Sequence, residues 1–177
     1  EDTENASNAG KFISELNVAI KKKDLIQSIS KIIKNYKKIG IKKLFLKNQI
    51  LIQEMVSSTS MSGVIFTKDR ENATNYYSIN YDDITGLTDT VTSGSGEHSN
   101  KTIFIYRSAH KQLRSPRFKK LISAVKDLEK KVRDNNLDIE FCVTKNFVPY
   151  LLQVRKIILK NKINRSYNNK LDKELKK

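Results

Sequence analysis

The chain has 177 residues, 38% hydrophobic and 30% charged, which is enough apolar side chain for one ordinary core and excludes wholesale disorder. Its longest apolar runs, such as Ile50-Leu51-Ile52 and Val64-Ile65-Phe66, fall far short of the roughly 18 residues that cross a bilayer; the single cysteine, Cys142, excludes a disulfide framework or Cys-rich zinc site and points to a reducing, cytoplasmic setting. The net charge is +15, yet 27 of the 34 basic residues are Lys and seven are Arg, the residue that forks onto phosphates and guanines, so charge argues only weakly for a nucleic-acid partner.

Residues 1–10 are polar and small, without apolar periodicity, and read as a loop. From Asp24 onward Leu25, Ile26, Ile29, Ile32, Ile33 and Tyr36 recur at spacings of three and four, with Asp24 as N-cap and Gly40 past the end, which predicts an amphipathic helix. Residues 21–47 carry ten Lys against one Asp, a charge that suits a solvated helix face or a phosphate-binding surface. Four β-type segments follow, Gln49 to Val56, Gly63 to Thr67, Tyr76 to Tyr81 and Thr102 to Tyr106, separated by Ser, Thr, Gly, Asn and Asp clusters. Ser115-Pro116 then opens a second amphipathic helix through Phe118, Leu121, Ile122, Val125, Leu128 and Val132, and Asp134-Asn135-Asn136 ends it. Leu137 to Val143 and Val148 to Val154 flank Thr144-Lys145-Asn146-Phe147 as a hairpin. The expected architecture is α+β, a mainly antiparallel sheet with two amphipathic helices. Residues 156–177, with eight basic against two acidic residues, read as a surface helix or a basic linker.

The hairpin is the most informative stretch. A four-residue connection makes the numbers of opposed residues sum to an odd value, so Asp138, Glu140, Gln153 and Arg155 share one face and Ile139, Phe141, Leu152 and Val154 the other. Two carboxylates and an amide oxygen are hard ligands suited to Mg²⁺, and an adjacent Arg suits a phosphate oxygen. Cross-strand ion pairing on a solvated sheet would use the same residues. Cys142 falls on the Glu140 face, where a small buried thiol is the expectation.

Asp138-Ile139-Glu140-Phe141 followed by Leu151-Leu152-Gln153-Val154-Arg155 resembles the end of the nucleotide-binding domain of the pyruvate phosphate dikinase and phosphoenolpyruvate synthase family, an ATP-grasp fold. In the same order, Ile52-Gln53-Glu54-Met55-Val56 is similar to the family's adenine-side strand and Ser62-Gly63-Val64-Ile65-Phe66-Thr67-Lys68-Asp69 to the strand after it. Gly86-Leu87 through Val91-Thr92-Ser93-Gly94 looks like its glycine-containing loop, and Ser7-Asn8-Ala9-Gly10 with Leu16-Asn17-Val18 like its phosphate-loop region. The resemblance implies ATP and Mg²⁺ as cofactors: Glu140 and Gln153 as metal ligands, Arg155 on the γ-phosphate, Gly10 and Ser14 at the phosphates, Gln53 on adenine, and the backbone of Met55 and Val56 along its edge. It also implies residues 1–157 as a partial ATP-grasp domain and 158–177 as a tail.

The chain departs from the family pattern in places. Arg155 is followed by Lys156-Ile157 rather than Pro-Ile, and Asp69 by Arg70 rather than Pro. The family's upstream Arg-Ser-Ser segment and the lobe bearing its phosphate-binding Lys are not in these residues, nor is a phosphohistidine motif; His98 and His110 are expected at the surface. The expected partners are therefore that lobe, a phosphohistidine domain and a small-molecule acceptor, with no membrane. The stretch from Tyr77 to Gly94 resembles relatives in surface-polysaccharide pathways, including the L-glutamine kinase of capsular phosphoramidate synthesis. Two other expectations stand beside the kinase one: a basic nucleic-acid-binding module, resting on charge alone, and a catalytically silent fragment that docks a partner.

Overall fold

A computed structural model describes residues 12–38, 49–70, 73–85, 101–157 and 165–174. The chain forms two compact units, Glu1–Met55 and Val56–Lys177.

The first unit contains helix α1, Lys22–Lys38. It begins two residues before the expected cap, so Asp24 lies in the first turn, where a carboxylate favours the helix dipole, while Lys37 and Lys38 occupy the last turn. Leu25, Ile29, Ile32, Ile33 and Tyr36 are half-buried and none is fully enclosed. Phe12 meets Tyr36 edge to face at 5.4 Å between ring centroids, and Lys31 pairs with Glu15 at 2.8 Å. Gly40 lies outside the described residues.

The second unit is α+β. Its five-stranded antiparallel sheet consists of β1 (Thr59–Phe66), β2 (Tyr76–Asp82), β3 (Lys101–Tyr106), β4 (Leu137–Thr144) and β5 (Pro149–Lys156), in the order β3-β2-β1-β4-β5. A 3₁₀ turn, Arg107–Gln112, links β3 to helix α2, Pro116–Val132. Pro116 stands in the first turn, where the helix needs no N–H, and Arg133 closes the other end in the left-handed conformation. Phe118, Leu121, Ile122 and Val125 of α2 pack on Met61, Ile65, Tyr77, Ile79, Ile105, Ile139, Phe141 and Val143 to form the core. Alternation along the strands leaves the other sheet face without this helix.

Three expectations are corrected here. Gln49 to Val56 forms no strand, and Leu51, Ile52 and Met55 are exposed. A β-type composition becomes a strand only when a neighbour pairs with it; β1 already pairs with β2 on one side and β4 on the other. The hairpin loop is three residues, not four: Thr144 N–H donates to Val148 O, Phe147 N–H donates to Thr144 O, and Phe147 adopts φ 59°. A bulge at Leu152 then shifts the pairing from Phe141↔Leu151 to Glu140↔Gln153, so Leu151, rather than Leu152, packs on the core.

The basic end of the chain includes helix α3, Arg165–Glu174. Asn168 is buried and brackets the entry to β2: its Oδ1 accepts from Asn75 N–H at 3.3 Å and its Nδ2 donates to Ala73 O at 3.4 Å. The Tyr106 hydroxyl donates to Asp172 Oδ1 at 2.7 Å. Among the described residues no helix is long and apolar enough to cross a membrane.

Candidate functional site

The last two strands at one end of the sheet, β4 and the edge strand β5, carry the polar group anticipated from the sequence. Asp138 lies directly opposite Arg155, and Glu140 opposite Gln153. Arg155 Nη2 donates to Glu140 Oε1 at 3.1 Å. With the Gln153 amide oriented to satisfy both neighbours, its nitrogen donates to the same Oε1 at 3.2 Å and its oxygen accepts from Arg155 Nε at 3.2 Å. All three side chains are half-buried.

Burial is the largest influence on Glu140 and pushes its carboxyl above the usual carboxylate range; Arg155 opposes that, and the nearby Asp138 reinforces it. Pairing has therefore not fully repaid the loss of water, which is the condition in which a further positive charge is most welcome. Val64 lies opposite Glu140 on β1 and Phe66 opposite Asp138, so the charged corner borders an apolar strip, with the Arg70 guanidinium 5.2 Å over the Phe66 ring. Ser78 and Asn80 continue this face on β2, and Asn80 Oδ1 accepts from the Thr102 hydroxyl at 2.8 Å. Cys142, also on this face, is fully buried, and burial pushes its thiol up. It is an inert packing residue, as anticipated.

The other anticipated residues belong to other parts of the chain. Gln53 and Met55 are exposed in the first unit and Val56 is half-buried at the start of the second, all outside any strand. Ser14 is exposed in the first unit, and Gly10 lies outside the described residues. Of the histidines, His98 also lies outside them, while His110 is half-buried rather than superficial: its Nδ1 meets Arg107 O at 2.8 Å and its Nε2 meets Lys126 Nζ at 2.9 Å.

Sequence reasoning missed a second polar group, on the helix side of the sheet. Glu129 of α2 is buried and receives a forked pair of bonds from Arg107, each 2.7 Å, together with the Tyr77 hydroxyl at 3.1 Å. Arg107 also donates to Thr67 O at 2.9 Å and lies 4.5 Å over the Tyr77 ring. A signal was present: Glu129 follows Val125 by four residues and so falls on the apolar stripe of its helix. A carboxylate there requires a buried partner, and the cation that supplies it comes from the turn after β3.

Among the described residues, no three His, Cys, Asp or Glu side chains gather as a metal-binding group. Comparison with family models, curated proteins and solved structures finds no match for the chain.

Proposed function

We propose that the chain is the MgATP-binding part of a dikinase-type phosphotransferase, an ATP-grasp-like lobe whose parent enzyme passes a phosphoryl group through a phosphohistidine on another domain to a small acceptor. The observation that supports this reading most directly is the meeting of Glu140, Gln153 and Arg155 on the sheet face turned away from α2. The ordered sequence resemblance supplies the reaction class, and within it the stretch from Tyr77 to Gly94 favours an acceptor of the L-glutamine kinase kind.

The donor set suits the metal. Mg²⁺ is held by one or two protein oxygens and completes its shell with water and phosphate, and one carboxylate plus one amide oxygen fits that habit. When bound it neutralises phosphate charge. Arg155 and the Gln153 nitrogen both address Oε1 of Glu140, so nucleotide binding requires a local exchange. Arg155 would turn from Glu140 to hold the phosphate, and Gln153 would offer its oxygen, with Glu140, to the cation. The half-burial that raises Glu140 lowers the local dielectric, so each new charge contact is worth more than on an open surface.

The test is titration of the chain with ATP in Mg²⁺ and, separately, in EDTA, following the melting temperature. Mg²⁺-dependent stabilisation is expected, and Glu140→Ala or Gln153→Ala should each remove it. Equal stabilisation of the variants and the unaltered chain would overturn the assignment.

A further inference from the structure

A cleft of about 430 Å³ opens on the helix side of the sheet, walled by Arg107, Lys126, Glu129, Lys130, Arg133 and Asp134. Four of these residues are cationic and two anionic. Both acids are engaged: Glu129 holds Arg107 at 2.7 Å, and Asp134 pairs with Lys156 at 3.5 Å. Lys130 stands in the last turn of α2, where the helix dipole favours a cation, and needs no ligand to explain it.

Lys126 and Lys68 are different. The His110 Nδ1 contact is with a carbonyl oxygen, so Nδ1 carries the hydrogen, and Nε2 offers Lys126 a neutral lone pair rather than a counter-charge. Lys68 is only 6% exposed, and the charges acting on it are Arg107, Asp134 and Glu129, three residues of the cleft wall. Among the described residues, no carboxylate is within ion-pair distance of either lysine. Burial, and next Arg107, hold both ammonium groups below the ordinary lysine range. Lys126, half-buried and held only by the His110 lone pair, can therefore take up an incoming anion without giving up an ion pair.

We propose that this cleft is a second ligand site, binding the phosphoryl group of a small phosphate ester through Lys126 and Arg133 of its wall. The excess positive charge matches a dianion, and Arg133 supplies the planar fork that grips phosphate oxygens. The depression is wide open to solvent and larger than a phosphate fills, so an ester's organic body can extend out of it. Because α2 packs on the sheet face opposite the Glu140 side chain, this site is separate from the hairpin cluster and does not depend on its assignment.

The experiment titrates the chain with inorganic phosphate and with ribose 5-phosphate, against sodium chloride at matched ionic strength, reading melting temperature and backbone amide shifts. A saturable response beyond that of chloride is expected. It should weaken roughly tenfold in Lys126→Gln with Arg133→Gln, as loss of charge-assisted contacts implies, and persist in Glu140→Ala and in Lys119→Gln, an exposed cation of the same helix. A tighter response to ribose 5-phosphate supports the ester; equal responses would replace it with free phosphate. No difference from chloride, or equal affinity in the double variant, would overturn the site.

Discussion

Tyr77 of β2 and Glu129 of α2 meet in the core: the hydroxyl donates to Oε2 at 3.1 Å, on the same carboxylate that Arg107 grips with two nitrogens. This joins the centre of the sheet, the helix over it and the turn after β3 through one buried charge. Glu129→Leu should therefore destabilise the fold by about 3 kcal/mol, most of it from leaving Arg107 uncompensated. Glu129→Leu combined with Arg107→Leu should recover a substantial part of that loss. Urea unfolding of the single and double variants checks this, and a double variant no more stable than the single would refute it.

The same contact sets a response to alkali. Burial first, and then Glu129, push the Tyr77 hydroxyl well above the ordinary phenol value despite the opposing Arg107; Tyr106 is shifted the same way by burial and Asp172. A raised folded-state pKa means the protonated phenol favours the native state. That contribution is complete below about pH 10, where the unfolded phenol titrates, and is lost as pH rises beyond it. Stability measured from pH 9 upward (roughly one unit below the free phenol) should fall, and less steeply in Tyr77→Phe.

Gly63 in β1 faces the core between Tyr81 and Phe141. An added Cβ would lie 2.0 Å from Asn80 O and 2.8 Å from Tyr81 Cα, both backbone atoms that cannot swing aside. Gly63→Ala should cost at least about 3 kcal/mol, the upper end for overpacking, because the β1–β2 pairing itself must shift. A melting temperature close to that of the unaltered chain would contradict this.

At the hairpin tip, Phe147 holds φ 59°, a conformation that costs a non-glycine residue roughly 1 kcal/mol, and the residue is 39% exposed and outside the hydrophobic core. Phe147→Gly should stabilise the protein by up to about 1 kcal/mol without moving the hairpin register. Denaturant midpoints provide the measurement, and a clear loss of stability would show that the ring contributes more than its exposure suggests.

Helix α3 is attached through a buried amide rather than an apolar stripe. Asn168→Ala leaves Asn75 N–H and Ala73 O without their partner, and should cost about 1 to 3 kcal/mol. Asp172→Ala, which frees the Tyr106 hydroxyl, should cost less, because that contact is nearer solvent. Hydrogen exchange at Asn75 and Arg107, which are joined by a backbone bond at the entry to β2, should quicken in Asn168→Ala.

Much of the second unit was legible because its signals are local. The Phe118 to Val132 stripe, Pro116 at the helix start and the β-branched runs each state their own period, and the structure follows them. Glu140, Gln153 and Arg155 were found because they lie on adjoining strands of one hairpin. What escaped was settled by distant partners: whether Gln49 to Val56 pairs depends on which neighbours β1 has, and Arg107 with Glu129 depends on how α2 lies across the sheet. The docking of α3 escaped for the same reason, since Asn168 among Lys and Asn residues carries no apolar period.

The three-residue tip and the extra residue at Leu152 bear on what the hairpin tolerates. Each irregularity alone would reverse the facing of every residue beyond it; together they cancel, as a frameshift and its suppressor do in a gene. Lengthening the tip by one residue, or deleting Leu152, would turn Gln153 and Arg155 away from Glu140 although neither event touches a polar side chain. Length changes in related chains should therefore come in compensating pairs here, and an unpaired one would mark a chain that has lost the cluster while keeping its residues.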